Sequence, residues 1–158
     1  MKYLFLDFDG VLNTNNNYTL STFDPVTILA LNKIVENTNC NIVISSSWRE
    51  NNTLIKLKKY LQDSNFLYPE RIVDVTPTLS VRDPETGYID IAPCRGLEIL
   101  AYVRVLRIKQ WVAIDDMTDE YMRYNLVQTN YENGLTDALA NIAIEKLNNE
   151  TLIEKYVN

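Results

Sequence analysis

The segment LFLDFDGVLN, residues 4–13, places two aspartates, Asp7 and Asp9, directly behind an apolar run. Residues on both alternating faces of the preceding KYLFL are largely apolar, which predicts a central strand covered on both sides. Acids at the end of a buried strand are costly unless a partner compensates their charge. The other motifs of the chain indicate what that partner is.

The composition predicts one globular domain spanning residues 1–158, with 46% hydrophobic and 23% charged residues. A formal charge of −6 argues against a long electrostatic footprint on nucleic acid or anionic lipid. No apolar stretch is long enough to span a membrane, and no signal peptide is recognisable. Two cysteines, Cys40 and Cys94, suit a reducing compartment. We therefore expect a cytoplasmic protein without membrane contact or an obligate protein partner.

Strand-like and helix-like segments alternate along the chain. Strands are predicted within 2–8, 40–48, 71–76, 110–116 and 124–130, and helices within 24–38, 51–62, 95–107 and 135–147, with 151–157 helical or frayed. We expect a loop or flap at 13–22 and an irregular or hairpin excursion at 76–93. The alternation predicts the α/β class: a single Rossmann-like domain, with a parallel sheet and helices on both faces.

The sequence excludes several catalytic chemistries. It contains no histidine, which removes His-based triads and His-ligated zinc sites. It has no GxxxxGK[ST] motif, and neither cysteine is followed six residues later by the arginine that a cysteine-based phosphatase loop needs. Acid–base and metal chemistry must therefore fall to carboxylates.

Three of the predicted strands end in polar residues. Asp7 and Asp9 lie at the end of the strand within 2–8, the serines 45–47 at the end of the strand within 40–48, and Asp115 and Asp116 at the end of the strand within 110–116. Ligands of open parallel sheets bind at the carboxyl ends of the strands. If these strands are neighbours, the carboxylates repel one another, so their pKa values rise or a cation lies among them. A hard cation with oxygen ligands, Mg²⁺, fits this histidine-free set.

These motifs resemble those of the haloacid dehalogenase (HAD) superfamily of aspartate-nucleophile phosphatases. DFDGV at 7–11, IVIS at 42–45 and AIDD at 113–116 are similar to its first, second and fourth motifs, and Arg95 in CRGLEI fits the third. SSSWRE and RGLEIL further resemble the small HAD domains of RNA-repair proteins, which are similar to the 3′-phosphatase half of polynucleotide kinase-phosphatase. The resemblance extends over the whole predicted domain.

The resemblance implies that Asp7 is the nucleophile, which forms an aspartyl-phosphate. Asp9 would protonate the leaving oxygen and then deprotonate the hydrolytic water. Mg²⁺ would be held by the Asp7 side chain, the Asp9 backbone carbonyl and Asp116, with Asp115 close by. Asp119 and Glu120 either supply a further acid behind the metal or begin a helical turn.

The resemblance implies that Ser45 contacts the phosphate, with Ser46 as the alternative. It also implies that Arg95 balances the charge on the phosphoryl group. Lys109 is the rival of Arg95, although it lies only a few residues before the strand that carries the paired acids.

The residues just past the second strand allow two interpretations. Trp48 and Arg49 are candidate substrate contacts, with Trp48 stacking a nucleobase at the mouth of the site. Alternatively, Trp48 is a packing residue, and the stretch is a capped loop with Ser47 or Asn51 as the cap.

The resemblance, together with these patterns, implies a Mg²⁺-dependent phosphomonoester hydrolase, and the expected substrate is a nucleic-acid 3′-phosphate end. The stretches between the motifs leave little room for a cap domain, and an open site favours a large phosphorylated substrate. The alternatives are a small-metabolite or nucleotide phosphatase, and a catalytically silent HAD-like or receiver-like phospho-binding module.

Overall fold

The computed structural model describes residues 1–15, 22–82, 85–86, 89–90 and 94–149, without the side chains of 81, 82, 89 and 90. Most of the predicted flap at 13–22 and the predicted C-terminal segment at 151–157 lie outside this part of the chain.

A five-stranded parallel sheet forms the centre of the molecule, in the order β3–β2–β1–β6–β7. Numbered along the chain, these strands are β1 (Lys2–Leu6), β2 (Asn41–Ile44), β3 (Ile72–Val75), β6 (Gln110–Asp115) and β7 (Leu126–Gln128). Within the predicted excursion, β4 (Val81–Arg82) pairs antiparallel with β5 (Ile89–Asp90), which is a hairpin arrangement. All five predicted strand regions are therefore confirmed.

Among the described residues, four α-helices cover the two faces of the sheet: α1 (Pro25–Thr38), α2 (Leu54–Asp63), α3 (Arg95–Val105) and α4 (Asp137–Asn148). Side chains alternate along β1, so Leu4 and Leu6 join the apolar cluster formed with α1, α2 and α4. Phe5 faces the other way and packs with Ile99 and Val103 of α3. The predicted Rossmann-like α/β class, with helices on both faces, is confirmed.

Side-chain caps fix where the helices begin. Asp24 caps α1 by accepting a hydrogen bond from the Val26 N–H at 2.9 Å, and Pro25 occupies the first helical position as expected. After β2, the cap of the short 3₁₀ helix Ser47–Glu50 is Ser46, and the cap of α2 is Thr53. The prediction that Ser47 or Asn51 caps a helix here was wrong.

The connections that flank the site are short. Residues 7–24 separate β1 from α1, and residues 76–94 separate β3 from α3, so neither connection is long enough for a separate cap domain. In the described ranges, every helix is too short or too polar to serve as a membrane span.

Arg49 has a structural position that argues against its predicted contact with substrate. Its side chain is only 4% exposed and forms a buried ion pair with Glu98 of α3. The remaining guanidinium nitrogens donate to the carbonyl oxygens of Ser45 at 2.8 Å, Ser46 at 3.0 Å and Thr76 at 3.1 Å. Arg49 therefore joins the turn after β2 to α3 and to the end of β3.

We predict that Glu98→Ala destabilises the fold by about 3–5 kcal/mol, because it leaves the buried Arg49 charge uncompensated. The matched control is Asp63→Ala, which breaks the exposed i,i+4 pair with Lys59 and should cost no more than about 0.5 kcal/mol. Urea unfolding measures both changes. Equal losses in the two variants would contradict the structural role given to Arg49.

Candidate active site

The register of the sheet brings three predicted site residues into one row. Leu6 of β1 lies opposite Ile44 of β2 on one side and opposite Ile114 of β6 on the other. The next positions along these strands are Asp7, Ser45 and Asp115, at the carboxyl edge where ligands of parallel sheets bind. The expectation that these strands are neighbours is therefore confirmed.

A cluster of three carboxylates forms at this edge. Asp7, Asp115 and Asp116 each contribute an oxygen, and these oxygens all lie within 4.8 Å of one another. Burial and the nearby Asp7 charge raise the pKa of Asp115 to about 6, although Arg95 opposes this rise. Burial and the Asp7 charge also raise the pKa of Asp116. Positive charge close to the three carboxylates would therefore stabilise the cluster.

Arg95 supplies positive charge from the first turn of α3. Its Nη1 forms ion pairs with Oδ2 of Asp7 and, at 2.6 Å, with Oδ2 of Asp115. Burial would lower the pKa of Arg95, but the two carboxylates outweigh that effect and raise it. Lys109 is exposed and precedes β6, so it lies at the amino ends of the strands, away from the carboxylate cluster. Of the two candidates for the third motif, the geometry supports Arg95.

The start of α3 is held in place by Asp119, in the loop after β6. Its carboxylate accepts hydrogen bonds from the Gly96 N–H at 3.0 Å, the Cys94 thiol at 3.0 Å and the Tyr121 N–H at 2.9 Å. A Cβ at Gly96 would lie 2.5 Å from Asp119 Oδ1, so only glycine permits this approach. Asp119 therefore caps the helix that carries Arg95, an interpretation that the sequence did not suggest.

Gly10 allows the chain to turn beside the carboxylate cluster. It has a φ of +72°, and an added Cβ would lie 2.8 Å from the Cβ of Asp116. The carbonyl oxygen of Gly10 accepts a hydrogen bond from the Thr129 hydroxyl at 2.7 Å. The turn after β1 is thus fixed against both Asp116 and the end of β7.

Asp9 does not share the carboxylate cluster of Asp7, Asp115 and Asp116. Its Oδ1 accepts a hydrogen bond from Asn13 Nδ2 at 3.0 Å, and its Oδ2 accepts one from the indole Nε1 of Trp48 at 2.8 Å. Each carboxylate oxygen of Asp9 therefore has its own neutral donor. A role in proton transfer rather than side-chain metal binding is compatible with this position.

Trp48 is packed on several sides by aromatic rings. The ring centroids of Phe8, Phe23 and Tyr60 lie 5.5, 5.7 and 5.6 Å from its own. Of the two interpretations of Trp48, these contacts favour packing over nucleobase stacking, and the bond to Asp9 adds a polar function that neither included.

The two serines after β2 differ in their hydrogen bonding. Ser46 accepts a hydrogen bond from the Trp48 N–H at 3.4 Å as the cap of the 3₁₀ helix. Ser45 is 1% exposed, and its buried hydroxyl has no hydrogen-bond partner among the described residues. A buried unpaired hydroxyl is uncommon and needs a ligand or water to satisfy it. The structure therefore favours Ser45 as the phosphate contact.

The donor set of the cluster fits a hard divalent cation. Its three groups are all carboxylates, and their burial and mutual repulsion would be relieved by a positive ion. Sulfur and imidazole ligands, which favour zinc, do not belong to this group of described residues. The residues expected to bind Mg²⁺ are thus suited to it, with the Asp9 side chain directed elsewhere.

Sequence reasoning missed the residues that support the site from outside the motifs. Asn13 lies four residues after Asp9, so its proximity within one tight loop was a usable signal. Glu98 is 4% exposed and also accepts a hydrogen bond from the Leu79 N–H at 3.1 Å. No local pattern identifies Glu98, and the sequence singled out Asp119 without its contacts to Cys94 and Gly96, because these partners lie far away in the sequence.

A comparison with protein families supports the resemblance of the motifs to the HAD superfamily. The matching family model describes the HAD domain in Swiss Army Knife RNA repair proteins, and the match covers residues 3–140 of the 158. No curated protein and no solved structure matches the chain significantly. The matched region contains the carboxylate cluster, Ser45 and Arg95. The chain therefore belongs to the HAD domains of the RNA-repair type, within the HAD superfamily.

Proposed function

We propose that the protein is a phosphomonoester hydrolase in which Asp7 is the nucleophile and Mg²⁺ the cofactor. The observation that carries this proposal is the setting of the Asp7 carboxylate. Its Oδ1 accepts a hydrogen bond from the Phe8 N–H at 2.8 Å, its Oδ2 is paired with Arg95, and two further acids lie beside it. An acid held at the carboxyl edge of a central strand, next to an arginine, is suited to attack on a bound phosphate.

The proposed reaction has two steps. An oxygen of Asp7 attacks phosphorus and displaces the leaving oxygen, which takes a proton from Asp9. Asp9 then removes a proton from water, which attacks the aspartyl-phosphate, releases inorganic phosphate and regenerates the Asp7 carboxylate. The Ser45 hydroxyl donates to a phosphoryl oxygen, and Arg95 balances the negative charge gathered there. Mg²⁺, held by Asp7, Asp116, Asp115 and the Asp9 carbonyl, would reduce the repulsion between nucleophile and phosphate.

The substrate that we propose is a nucleic-acid 3′-phosphate end. Membership in a family described by RNA repair supports this class. The short connections on either side of the site support an open entrance, which a large substrate requires. The negative charge of the protein is compatible with recognition of an end, which needs few phosphate contacts. A small-metabolite or nucleotide phosphatase is the second candidate, because its chemistry would use the same residues.

A catalytically silent phospho-binding module is the alternative of another class. It would need a broken motif, whereas Asp7, Asp9, Ser45, Arg95 and the paired acids are all present. The ion pairs of Arg95 with Asp7 and Asp115, and the nearby Asp116, support a working site rather than a degenerate one.

We predict that Asp7→Asn abolishes hydrolysis of p-nitrophenyl phosphate, because an amide cannot attack phosphorus, while circular dichroism stays unchanged. Asp137→Asn, a change at an exposed acid of α4, is the matched control and should retain activity. Near-wild-type turnover in Asp7→Asn would refute Asp7 as the nucleophile.

We predict that Mg²⁺ raises the melting temperature of the wild type and not of Asp116→Asn. Binding to the folded state stabilises it by about 2.7 kcal/mol when Mg²⁺ is about 100-fold above its Kd. Protons compete with the cation for Asp115, whose pKa is raised to about 6, so the Mg²⁺ effect should fall as the pH falls through that value.

Thermal melts with and without Mg²⁺ at several pH values test this prediction, with Asp137→Asn as the control that keeps the full response. Activity should disappear with EDTA and return with added Mg²⁺. An equal rise in the wild type and Asp116→Asn, or full activity after exhaustive chelation, would contradict the proposed metal site.

We predict that kcat/KM is higher for a 3′-phosphorylated oligonucleotide than for a sugar phosphate. The same oligonucleotide with a 5′-phosphate, together with free nucleotides, completes the panel. Added salt should weaken the oligonucleotide reaction only mildly, because few phosphates are contacted. A clear preference for the sugar phosphate would reject the nucleic-acid end and leave the proposed chemistry intact.

A further inference from the structure

We infer that Trp48 is a positioning residue for Asp9: its indole N–H holds the Asp9 carboxyl group in place for proton transfer. This inference rests on the proposed function, because it assigns a role within that reaction. The contact joins residues 39 positions apart, with the Trp48 Nε1 to Asp9 Oδ2 distance at 2.8 Å. It therefore links the turn after β2 directly to the loop after β1.

The indole ring is fixed where it donates this bond. Phe8 and Tyr60 meet it nearly edge-on, with interplanar angles of 80° and 83°, and Phe23 meets it at 42°. The carbonyl oxygen of Trp48 also accepts a hydrogen bond from Asn52 Nδ2 at 2.9 Å. A donor held by packing in this way restricts the Asp9 carboxyl without taking part in the chemistry itself.

The geometry separates Asp9 from the carboxylates that would bind the cation. With Trp48 on Oδ2 and Asn13 on Oδ1, the carboxyl group of Asp9 is held from both sides. Without the indole donor, only the Asn13 bond would hold the side chain, and Oδ2 could turn toward the positive charge of Arg95 or of a bound cation. Trp48 thereby keeps Asp9, the second acid of the DFDGV motif, available for proton transfer.

The two donors differ in which carboxyl oxygen they allow to carry the proton. An indole N–H can only donate, so Oδ2 must remain an acceptor toward Trp48. An amide can donate or accept, and within the part of the chain that the structure describes Asn13 Oδ1 is a buried acceptor without a hydrogen-bond partner. A turn of the Asn13 amide would let it accept from a protonated Asp9. This asymmetry favours Asp9 Oδ1 as the oxygen that holds the transferred proton.

The decisive variant is Trp48→Phe, which keeps one aromatic ring and removes the N–H donor together with the second ring of the indole. The matched control is Trp111→Phe, at the other tryptophan of the chain, which packs against Phe5 on the α3 face of the sheet. We expect Trp48→Phe to lower kcat by about tenfold to hundredfold, the value of one hydrogen bond to a charged group. With p-nitrophenyl phosphate, KM should fall together with kcat, because the intermediate accumulates when its hydrolysis is slow, and Trp111→Phe should have wild-type kinetics.

The step that slows should depend on the leaving group. A 3′-phosphorylated oligonucleotide needs a proton on its leaving oxygen, so formation of the aspartyl-phosphate should slow in Trp48→Phe. p-Nitrophenolate leaves without a proton, so with p-nitrophenyl phosphate the slow step should be hydrolysis of the intermediate. Rapid mixing should then show a burst of p-nitrophenolate equal to the enzyme concentration. Nucleobase stacking predicts a different pattern, in which p-nitrophenyl phosphate hydrolysis is unaffected.

A double-mutant cycle separates positioning from a purely structural effect. If Trp48 acts through Asp9, then adding Trp48→Phe to Asp9→Asn should cause no further loss of kcat. The inference would be overturned if the kcat losses of the two single variants multiplied in the double variant. A change confined to KM, or a wild-type kcat of Trp48→Phe on p-nitrophenyl phosphate, would also overturn it.

Nuclear magnetic resonance tests the contact without changing Trp48, in case that variant does not fold. The indole ¹H–¹⁵N resonance of Trp48 should shift when Asp9 is changed to Asn, while that of Trp111 stays in place. An unmoved Trp48 resonance would overturn the inference. If the wild-type enzyme turns over neither phosphate ester, the proposed function and this inference are overturned together. If the wild type is active and the kcat of Trp48→Phe is unchanged, the inference alone is overturned.

Discussion

Electrostatic repulsion among Asp7, Asp115 and Asp116 is the constraint on which the site depends. Their oxygens lie within 4.8 Å of one another, and Asp7 and Asp115 are almost fully buried. Such a group is unstable unless positive charge is placed close to it. Arg95 provides part of that charge, through ion pairs with Asp7 and Asp115. The position of the first turn of α3 is therefore as important to the site as the sheet itself.

The structure holds that first turn from two sides. Asp119 accepts a hydrogen bond from the Gly96 N–H, which ties α3 to the loop after β6. Two residues after Gly96 and still in the first turn, Glu98 pairs with the buried Arg49, which also binds the Ser45 carbonyl. Ser45, the proposed phosphate contact, and α3, which carries Arg95, are thus joined through the buried Arg49–Glu98 ion pair. Movement of either segment would disturb both, which is a physical reason for burying charge so close to the site.

The sequence was sufficient to predict the sheet, its helices and the convergence of Asp7, Ser45 and Asp115. Those features depend on local patterns and on parallel pairing, which aligns the strand ends. The partners of Arg49, Trp48 and Asp119 were beyond local patterns. Arg49 and Glu98 lie 49 residues apart, and their contact depends on which face of α3 meets the turn after β2. Arg49 was consequently interpreted as a substrate contact, because arginine near a phosphate site is common and its buried partner was not recognisable.

The most direct test of the account is chemical identification of the phosphorylated residue. Enzyme mixed with substrate in a single turnover is quenched in acid, and the acyl phosphate is reduced with borohydride, which converts a phosphorylated aspartate to homoserine. Mass spectrometry of the peptides then locates the converted residue. The account predicts substrate-dependent conversion at Asp7 and at no other acid. Conversion at Asp9, Asp115 or Asp116, or turnover without any conversion, would contradict it.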